Sequence, residues 1–402
     1  MRNRLVLRVI VVVAGVIGLL LGVAIALLQT STAKRLAFEQ VRKILAKQGV
    51  ILEAVDFDYS LLTFRISTGR ASIRSASAPN LPSLFAADHF TAGIALSDLI
   101  HSRYRVEDFV ITNPKIQIVI DEQGRDNIPS STTTTGGAID WLILKMRSTG
   151  GSLAFEDRSQ NALVRLPLWD LAVDGSRLTG EQEIQFRTRQ AGEVRYKGKI
   201  LTVENIDAQA SLKQRNEALD VRRAHLSSSV ADVEIRGTVE NLNDPRLDLA
   251  IVSNIHLKPA SQYLSAAQKI EGDLNVDASV KGRPKELKAA GHLKSENLTA
   301  EMIGQIALDA DVVYDFAGQR ARLNSFRARS PDLSVSGAAD VALALNAGES
   351  SVDVRLDVAE LANISKMLKL PVTVASRATG NAQLRWPGLD FTRLGGNGRL
   401  QL

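Results

Sequence analysis

The strongest constraint on the fold is an alternation of apolar and polar residues that begins at Val50 and continues almost to the end of the chain. It is clearest in the segments Val233–Val239, Leu247–Ile251, Leu274–Val280 and Val352–Val358. A period of two places alternate side chains on opposite faces of a β-strand. Turn-forming Pro and Gly residues separate these segments. The sequence therefore predicts a mainly β fold of antiparallel strands, each with one apolar and one polar face.

A run of twenty uncharged residues, Val9–Leu28, lies near the N-terminus. As a helix it would be about 30 Å long, which matches the hydrocarbon thickness of a bilayer. Residues 1–30 are therefore predicted to form a transmembrane anchor. The residues predicted to lie in the membrane include Val9, Val16, Leu20 and Leu28. The alternative is a cleaved secretory signal, whose apolar core is usually only about 7–15 residues.

Under both alternatives the bulk of the chain crosses the membrane, because large domains translocate largely regardless of flanking charge. We therefore predict a single-pass protein of a bacterial inner membrane, with most of its residues in the periplasm. The chain contains no cysteine, which is compatible with an oxidising compartment. The net charge of +5 arises largely at the N-terminus, and no basic surface with interleaved aromatic residues is evident. We therefore predict no nucleic-acid partner.

Residues 31–49 are predicted to form an amphipathic helix at the membrane interface, which ends at Gly49. The side chains predicted to contact lipid headgroups are Lys34, Arg35, Arg42 and Lys43. The same helix could instead cap the β domain that follows, and the two roles are compatible.

A Ser/Thr/Gly-rich stretch at residues 130–138 is predicted to be a linker or exposed loop. It separates a first β segment, residues 50–129, from residues 139–402. The second segment contains an internal repeat, since Gly272 and Gly380 lie 108 residues apart and each follows a predicted short helix, Pro259–Lys269 and Ile364–Leu370. Repeats of about 100 residues predict an elongated body of stacked units. The alternation is still present at the last residues, so we expect the chain to be the N-terminal part of a longer protein.

Residues typical of catalysis or metal binding show no recognisable spacing. The five histidines are scattered, and no metal-binding pair, phosphate loop or nucleophile elbow occurs. The acidic residues alternate with apolar ones, as they do on the wet face of a strand. We therefore predict a protein that is not an enzyme and that needs no cofactor or metal.

A polar turn formed by Asp121, Gly124 and Asn127 follows the predicted strand Ile116–Ile120. The position of Gly124 and the lack of an acidic twelfth residue do not fit a calcium loop. With its surroundings, the turn resembles the AsmA-like superfamily, most closely its TamB-type (translocation and assembly module) members. The other segments that carry the resemblance are the N-terminal helix, the apolar link Leu96–Ile100, the strand ending at Asn113-Pro114, and a next hairpin at Trp141–Met146 and Gly150–Asp157.

This resemblance implies an inner-membrane-anchored, taco-like curled antiparallel sheet with an apolar groove along its length. Members of the family are implicated in carrying phospholipid between the inner and outer membranes, and TamB in assembling outer-membrane barrels. The C-terminal domain with which TamB faces its outer-membrane partner has no counterpart in these residues.

The face of the alternating strands that should be dry predicts the groove lining. The residues predicted to line it are Ile116, Ile118, Ile120, Val233, Ile235, Leu249, Val276, Val354 and Leu356. Three hypotheses follow: a bridge that shields phospholipid acyl chains, a scaffold that pairs client outer-membrane proteins or periplasmic partners with exposed strand edges, and a plain array of β-sandwiches. An unbroken apolar lining would favour lipid, whereas buried charges in the lining would favour a scaffold.

Overall fold

The structure, a computed structural model, describes residues 29–94, 104–129, 141–213, 218–242, 244–264, 270–300, 304–344, 347–360, 362, 376–388 and 390–402. The helices are α1 (Ser31–Lys47) and α2 (Leu257–Leu264), with 3-10 turns at Pro284–Glu286 and Phe391–Arg393. The strands are β1 (Val50–Ala54), β2 (Asp58–Ser60), β3 (Arg65–Thr68), β4 (Ala71–Ser75), β5 (Phe85–Ala87), β6 (His89–Ile94), β7 (Tyr104–Thr112), β8 (Lys115–Ile120), β9 (Trp141–Ile143), β10 (Lys145–Asp157), β11 (Ala162–Gly175), β12 (Glu181–Thr188), β13 (Gly192–Tyr196), β14 (Lys199–Lys213), β15 (Ala218–Ser228), β16 (Ala231–Glu240), β17 (Arg246–His256), β18 (Ile270–Glu271), β19 (Asp273–Gly282), β20 (Lys288–Ala300), β21 (Gly304–Asp315), β22 (Arg320–Arg329), β23 (Leu333–Ala342), β24 (Glu349–Glu360), β25 (Arg377–Pro387) and β26 (Gly395–Gln401). The predicted mainly β class is confirmed.

The chain divides into two compact units, unit 1 (Met1–Gly198) and unit 2 (Lys199–Leu402). In unit 2 the described strands pair with their neighbours in antiparallel fashion, and β18 and β19 both pair with β20. Long strands of ten or more residues dominate this unit. The sequence prediction of antiparallel pairing therefore holds for unit 2.

Unit 1 differs from the prediction because it contains parallel pairs. β7 and β8 pair in parallel with successive halves of β10, and β7 also pairs in parallel with β9. β7 and β8 thus form one line of chain that is interrupted at Asn113-Pro114, opposite Gly150. Asn113 and Gly150 both have positive φ, 50° and 70°, and the Asn113 N–H donates to the Thr149 carbonyl at 2.8 Å. β9 and β10 therefore run in the same direction as β7 and β8.

The segments Trp141–Met146 and Gly150–Asp157, predicted to form a hairpin, do not pair with each other. Residues 145–157 form the single strand β10, whose antiparallel partner is β11. Gly150 and Gly151, which begin the second segment, lie at an irregularity within one strand rather than at a turn. Gly151 leaves room for the indole of Trp169, since a Cβ at Gly151 would lie 2.4 Å from the ring.

The helices of the structure agree in part with the helices that the sequence predicts. α1 occupies the predicted position and begins at the N-cap Thr30, whose hydroxyl accepts from the Ala33 N–H at 3.4 Å. α2 covers the first part of the helix predicted in the first repeat, and it contacts β14, β17 and β18 of unit 2. The second predicted repeat helix, residues 364–370, lies outside the described residues.

Other predictions also fall outside the part of the chain that the structure describes: the anchor with Val9, Val16, Leu20 and Leu28, the link Leu96–Ile100 and the linker 130–138. None of the helices within the described ranges combines the length and the apolar character needed to cross a membrane.

Candidate functional site

The main feature of unit 2 is a set of apolar residues that stand side by side across its strands. Following the pairing register from β14 to β26 gives two neighbouring rows, with one residue from each long strand. The first row is Ala208, Ala224, Ile235, Ile251, Ala278, Gly291, Val312, Leu323, Ala339, Val352, Leu384 and Gly396. The second row is Ile206, Leu226, Val233, Ser253, Val276, Leu293, Ala310, Phe326, Gly337, Val354, Ala382 and Gly398. Neither row contains a charged residue, and we call the surface they form the apolar face of unit 2.

The apolar face is only partly shielded from solvent. Most of its side chains are half-buried, and among the apolar ones only Ala310 and Ala339 are buried. Among the described residues of unit 2, each long strand makes its extensive contacts with neighbouring strands, and α2 is the helix that packs at their ends. A second sheet packed against this face would bury large Val, Ile and Leu side chains almost completely. The face is therefore better described as an open apolar surface than as half of a sandwich core.

The opposite face of the same strands is polar and charged. Residues that alternate with the apolar rows form ion pairs across neighbouring strands, such as Lys281 with Asp248 at 3.1 Å. Along one row of this face, Asp277, His292 and Asp311 are register neighbours on β19, β20 and β21. Each strand of unit 2 thus separates a charged surface from an uncharged one.

Two histidines on the polar face are held between carboxylates. The Nδ1 atom of His256 lies 2.8 Å from Asp273 Oδ1, and that hydrogen bond raises the pKa of His256 above its usual value. His292 Nδ1 lies 3.0 Å from Asp311 Oδ1, and this contact raises the pKa of His292 in the same way. The partner carboxyls of Asp273 and Asp311 have lowered pKa values, chiefly through the same hydrogen bonds. These contacts favour the charged form of both histidines on the polar face, where each histidine joins neighbouring strands.

Unit 1 contains apolar rows of the same kind. The first is Leu52, Ile73, Phe85, Ile116, Leu153 and Leu166, which follows the pairing of β1, β4, β5, β8, β10 and β11. The second is Tyr59, Ile66, Ala92, Phe109, Met146, Val173 and Ile184. The rings of Phe90 and Phe109 pack edge to face at 5.1 Å between centroids. We call the surface of these rows the apolar face of unit 1.

All nine residues predicted to line a groove are half-buried. Ile118 pairs with Phe155 in unit 1, whereas Ile120 pairs with the buried Asp157 and lies where the apolar surface ends. In unit 2, Leu249 and Leu356 belong to rows that adjoin the two above, since Leu249 pairs with Val280 and Leu356 with Val335. The remaining five residues lie in the rows already given: Ile116 in unit 1, and Val233, Ile235, Val276 and Val354 in unit 2. The structure thus groups them into one surface per unit, and their role as a lining stays a prediction.

Strict alternation fails at β-bulges, which no pattern of period two reveals. In β24 it would place Val358 on the same face as Val354 and Leu356. A register shift between Leu356 and Ala359 instead leaves Val358 43% exposed and buries Ala359 opposite Ala378. The extra residue reverses which side chains point to which face, so the sequence assigned the end of this strand wrongly.

The apolar face of unit 2 also includes an aromatic residue that sequence patterning missed. Phe326 stands directly across from Gly337, and a Cβ added at Gly337 would lie 3.0 Å from the Phe326 ring. A cross-strand glycine therefore gives the ring space to lie against the sheet. Near the last strands a hollow of about 250 Å³ adjoins Val354, Leu356, Ala382 and Leu400, where Gly380 and Gly398 add no side chain.

Asp121, Gly124 and Asn127 form the polar turn that the sequence predicts. The Asp121 carboxylate accepts from the backbone N–H groups of Gln123 and Arg125, both at 2.9 Å. Burial acts to raise the pKa of Asp121, but these bonds and the Arg125 guanidinium outweigh it and hold the pKa below its usual value. Asn127 is fully buried, accepts from the Val119 N–H at 2.9 Å, and donates to the carbonyls of Gln117 and Pro82. The turn therefore continues the backbone hydrogen bonding along the edge of β8 that does not pair with β10.

The four predicted headgroup contacts on α1 have different surroundings. Lys34 forms an ion pair with Asp58 and lies 5.9 Å from the centre of the Tyr59 ring. Arg42 pairs with Glu39 at 2.9 Å. Arg35 and Lys43 are exposed. Only the last two are thus presented to solvent without a described ion-pair partner.

Comparison of the sequence with protein-family models found no matching model, and comparison with curated proteins found no significant match. The resemblance to AsmA-like proteins therefore stays a prediction that depends on this chain's own residues.

Proposed function

We propose that this chain is a membrane-anchored periplasmic protein of the AsmA-like type that carries phospholipid between the inner and outer membranes. The observation that carries the proposal is the apolar face of unit 2, whose two rows cross every long strand without a charged residue. In this function the acyl chains lie on the apolar faces and the headgroups stay in water. The elongated groove, the anchor at residues 1–30 and the bacterial inner-membrane location are parts of the same proposal.

The physical basis is the match between a half-exposed apolar surface and an acyl chain. An exposed apolar patch of this extent is unfavourable in water and marks an interaction site. Each CH₂ group removed from water contributes about 0.8 kcal/mol. At about 4.8 Å per strand, each row is about 50 Å from end to end along the sheet. A row can therefore accommodate more than one acyl chain in succession.

The alternative is a scaffold for translocation and assembly of outer-membrane proteins through exposed β-edges. That function needs free strand edges rather than an uncharged surface. The unbroken rows support lipid over the scaffold, since a polypeptide client would be recognised mainly through backbone hydrogen bonds.

Photo-crosslinking in cells tests the proposal. A photoreactive amino acid at Ile251 is expected to form phospholipid adducts, because Ile251 lies in the first row. The matched control is Val252, an apolar residue in the same strand that is 57% exposed on the polar face between Glu234 and Asp277. Equal lipid adducts from the two positions would contradict the proposal, and adducts with unfolded outer-membrane proteins from strand edges alone would favour the scaffold.

A further inference from the structure

Within the described residues, the side-chain contacts that attach α1 to unit 1 come from one side of the helix. The Phe38 ring stacks on Phe57 with 5.0 Å between centroids, and the Lys34 ammonium pairs with Asp58. Leu45 is half-buried on the same side, and the helix contacts β1. These contacts fix the orientation of the helix on the strands and therefore fix which residues point away from them.

Large apolar side chains lie on the side that points away. Leu36 is 62% exposed and Ile44 is 58% exposed. They are about eight positions apart in sequence, so at 3.6 residues per turn they stand about 80° apart on the helix. Lys43 and Lys47 lie beside them, are exposed, and have no ion-pair partner among the described residues. We call Leu36, Ile44, Lys43 and Lys47 the docking face of α1.

The sequence next to α1 indicates what covers this face. Two residues, Gln29 and Thr30, lie between the end of the apolar run Val9–Leu28 and the first residue of the helix, Ser31. A run that is long enough to cross a bilayer brings the next residues to the level of the lipid headgroups. Exposed Leu and Ile beside unpaired Lys match that layer, which is apolar beneath and negatively charged at its surface.

We propose that α1 lies on the bilayer surface through this docking face, with Leu36 and Ile44 inserted at the boundary of headgroups and acyl chains. Lys43 and Lys47 then contact anionic headgroups. Their long apolar stems permit this while the ammonium groups stay in water. Because Phe38 and Lys34 attach the other side of α1 to the strands, unit 1 is held at a fixed orientation to the membrane. The inference rests on the membrane attachment in the proposed function and is separate from lipid transport.

A depth measurement tests the inference on the full chain reconstituted into vesicles of phosphatidylcholine and phosphatidylglycerol. The chain contains no cysteine, so Ile44→Cys gives a single site for an environment-sensitive fluorophore. Quenching by spin-labelled phospholipid is expected to be at least threefold stronger at this site than at Ala46→Cys. Ala46 is exposed on the same helix but lies about 160° away from Ile44. Leu178→Cys, at a position that is 95% exposed, reports a second site that should stay in water.

Charge reversal provides a second variant. Lys43→Glu combined with Lys47→Glu is expected to reduce the quenching at position 44 about twofold in anionic vesicles. Equal quenching at positions 44 and 46 would overturn the inference. A blue-shifted fluorophore at position 44 that lipid does not quench would also overturn it, since a protein surface would then cover the face. Phospholipid adducts from Ile251, measured on the same preparation, separate this failure from a failure of the proposed function.

Discussion

A charge placed within the apolar face of unit 2 should weaken phospholipid binding. Ile251 is the position of choice, because it lies in the first row between Ile235 and Ala278 and is half-buried. Ile251→Asp introduces a carboxylate that an acyl chain would have to desolvate or avoid. The substitution therefore tests whether the uncharged character of the row matters.

The expected magnitude follows from the strand spacing. An acyl chain of about sixteen carbons is about 20 Å long and lies across about four strands at about 4.8 Å each. About four CH₂ groups then face one strand, with about half of their surface against it. At about 0.8 kcal/mol per buried CH₂, the contact with one strand contributes about 1.6 kcal/mol. Since 1.4 kcal/mol corresponds to a tenfold change in affinity, Ile251→Asp should weaken binding about tenfold.

The assay is equilibrium binding of a fluorescent phospholipid to the purified full chain, with circular dichroism to verify strand content. The matched control is Ala250→Asp, because Ala250 is exposed on the polar face directly across from Arg236. This control should bind lipid within twofold of the parent. Binding by Ile251→Asp within twofold of the parent, or an equal loss in both variants, would refute the reasoning.

Three further predictions concern the turn, the aromatic–glycine pair and the histidines. Asn127→Ala removes three hydrogen bonds of a buried amide and should cost about 3 kcal/mol of local stability, seen as about 100-fold faster hydrogen exchange at Val119. Asn324→Ala, on the exposed part of β22, should leave this exchange rate unchanged. An unchanged rate in Asn127→Ala would show that the amide does not hold the turn. Gly337→Ala should destabilise the chain by about 1–3 kcal/mol in thermal unfolding, because its Cβ would lie 2.1 Å from the Asp353 carbonyl oxygen. The control is Gly395→Ala, whose Cβ meets nothing within 4 Å. Equal stability of the two variants would contradict the close approach. The pKa values of His256 and His292 are raised, so their stabilisation is fully present below about pH 6.5 and is lost as pH rises through the raised values. The melting temperature of the parent should therefore fall between pH 6 and pH 8, and that of the double variant His256→Gln and His292→Gln should fall less. A pH profile identical to that of the parent would argue against this linkage.

Alternation is a local property of the chain, and it correctly placed Ile235, Leu249 and Val276 on an apolar surface. It could not place Val358, because the bulge beside it depends on how β25 pairs with β24. The parallel pairing of β7 with β10 was missed for a similar reason. Pairing partners are chosen by contacts distant in sequence, and a pattern within one strand contains no information about them.

The candidate site was predictable from the sequence within single strands but not across them. Residues of one strand could be assigned to a common face, but rows across strands require the register. The contact of the Phe326 ring with Gly337 depends on that register, and so does the contact of the Trp169 indole with Gly151. On α1, the four basic residues looked alike in sequence, and contacts with Asp58 and Glu39 distinguish Lys34 and Arg42 from the others.

The central claim is tested most directly by the equilibration of isotope-labelled phospholipid between the inner and outer membranes of cells that depend on this chain. Ile251→Asp is expected to slow equilibration about tenfold, in parallel with its weaker lipid binding, and Ala250→Asp should equilibrate lipid at the parental rate. Normal equilibration with Ile251→Asp, combined with defective assembly of outer-membrane proteins, would contradict lipid transport and favour the scaffold.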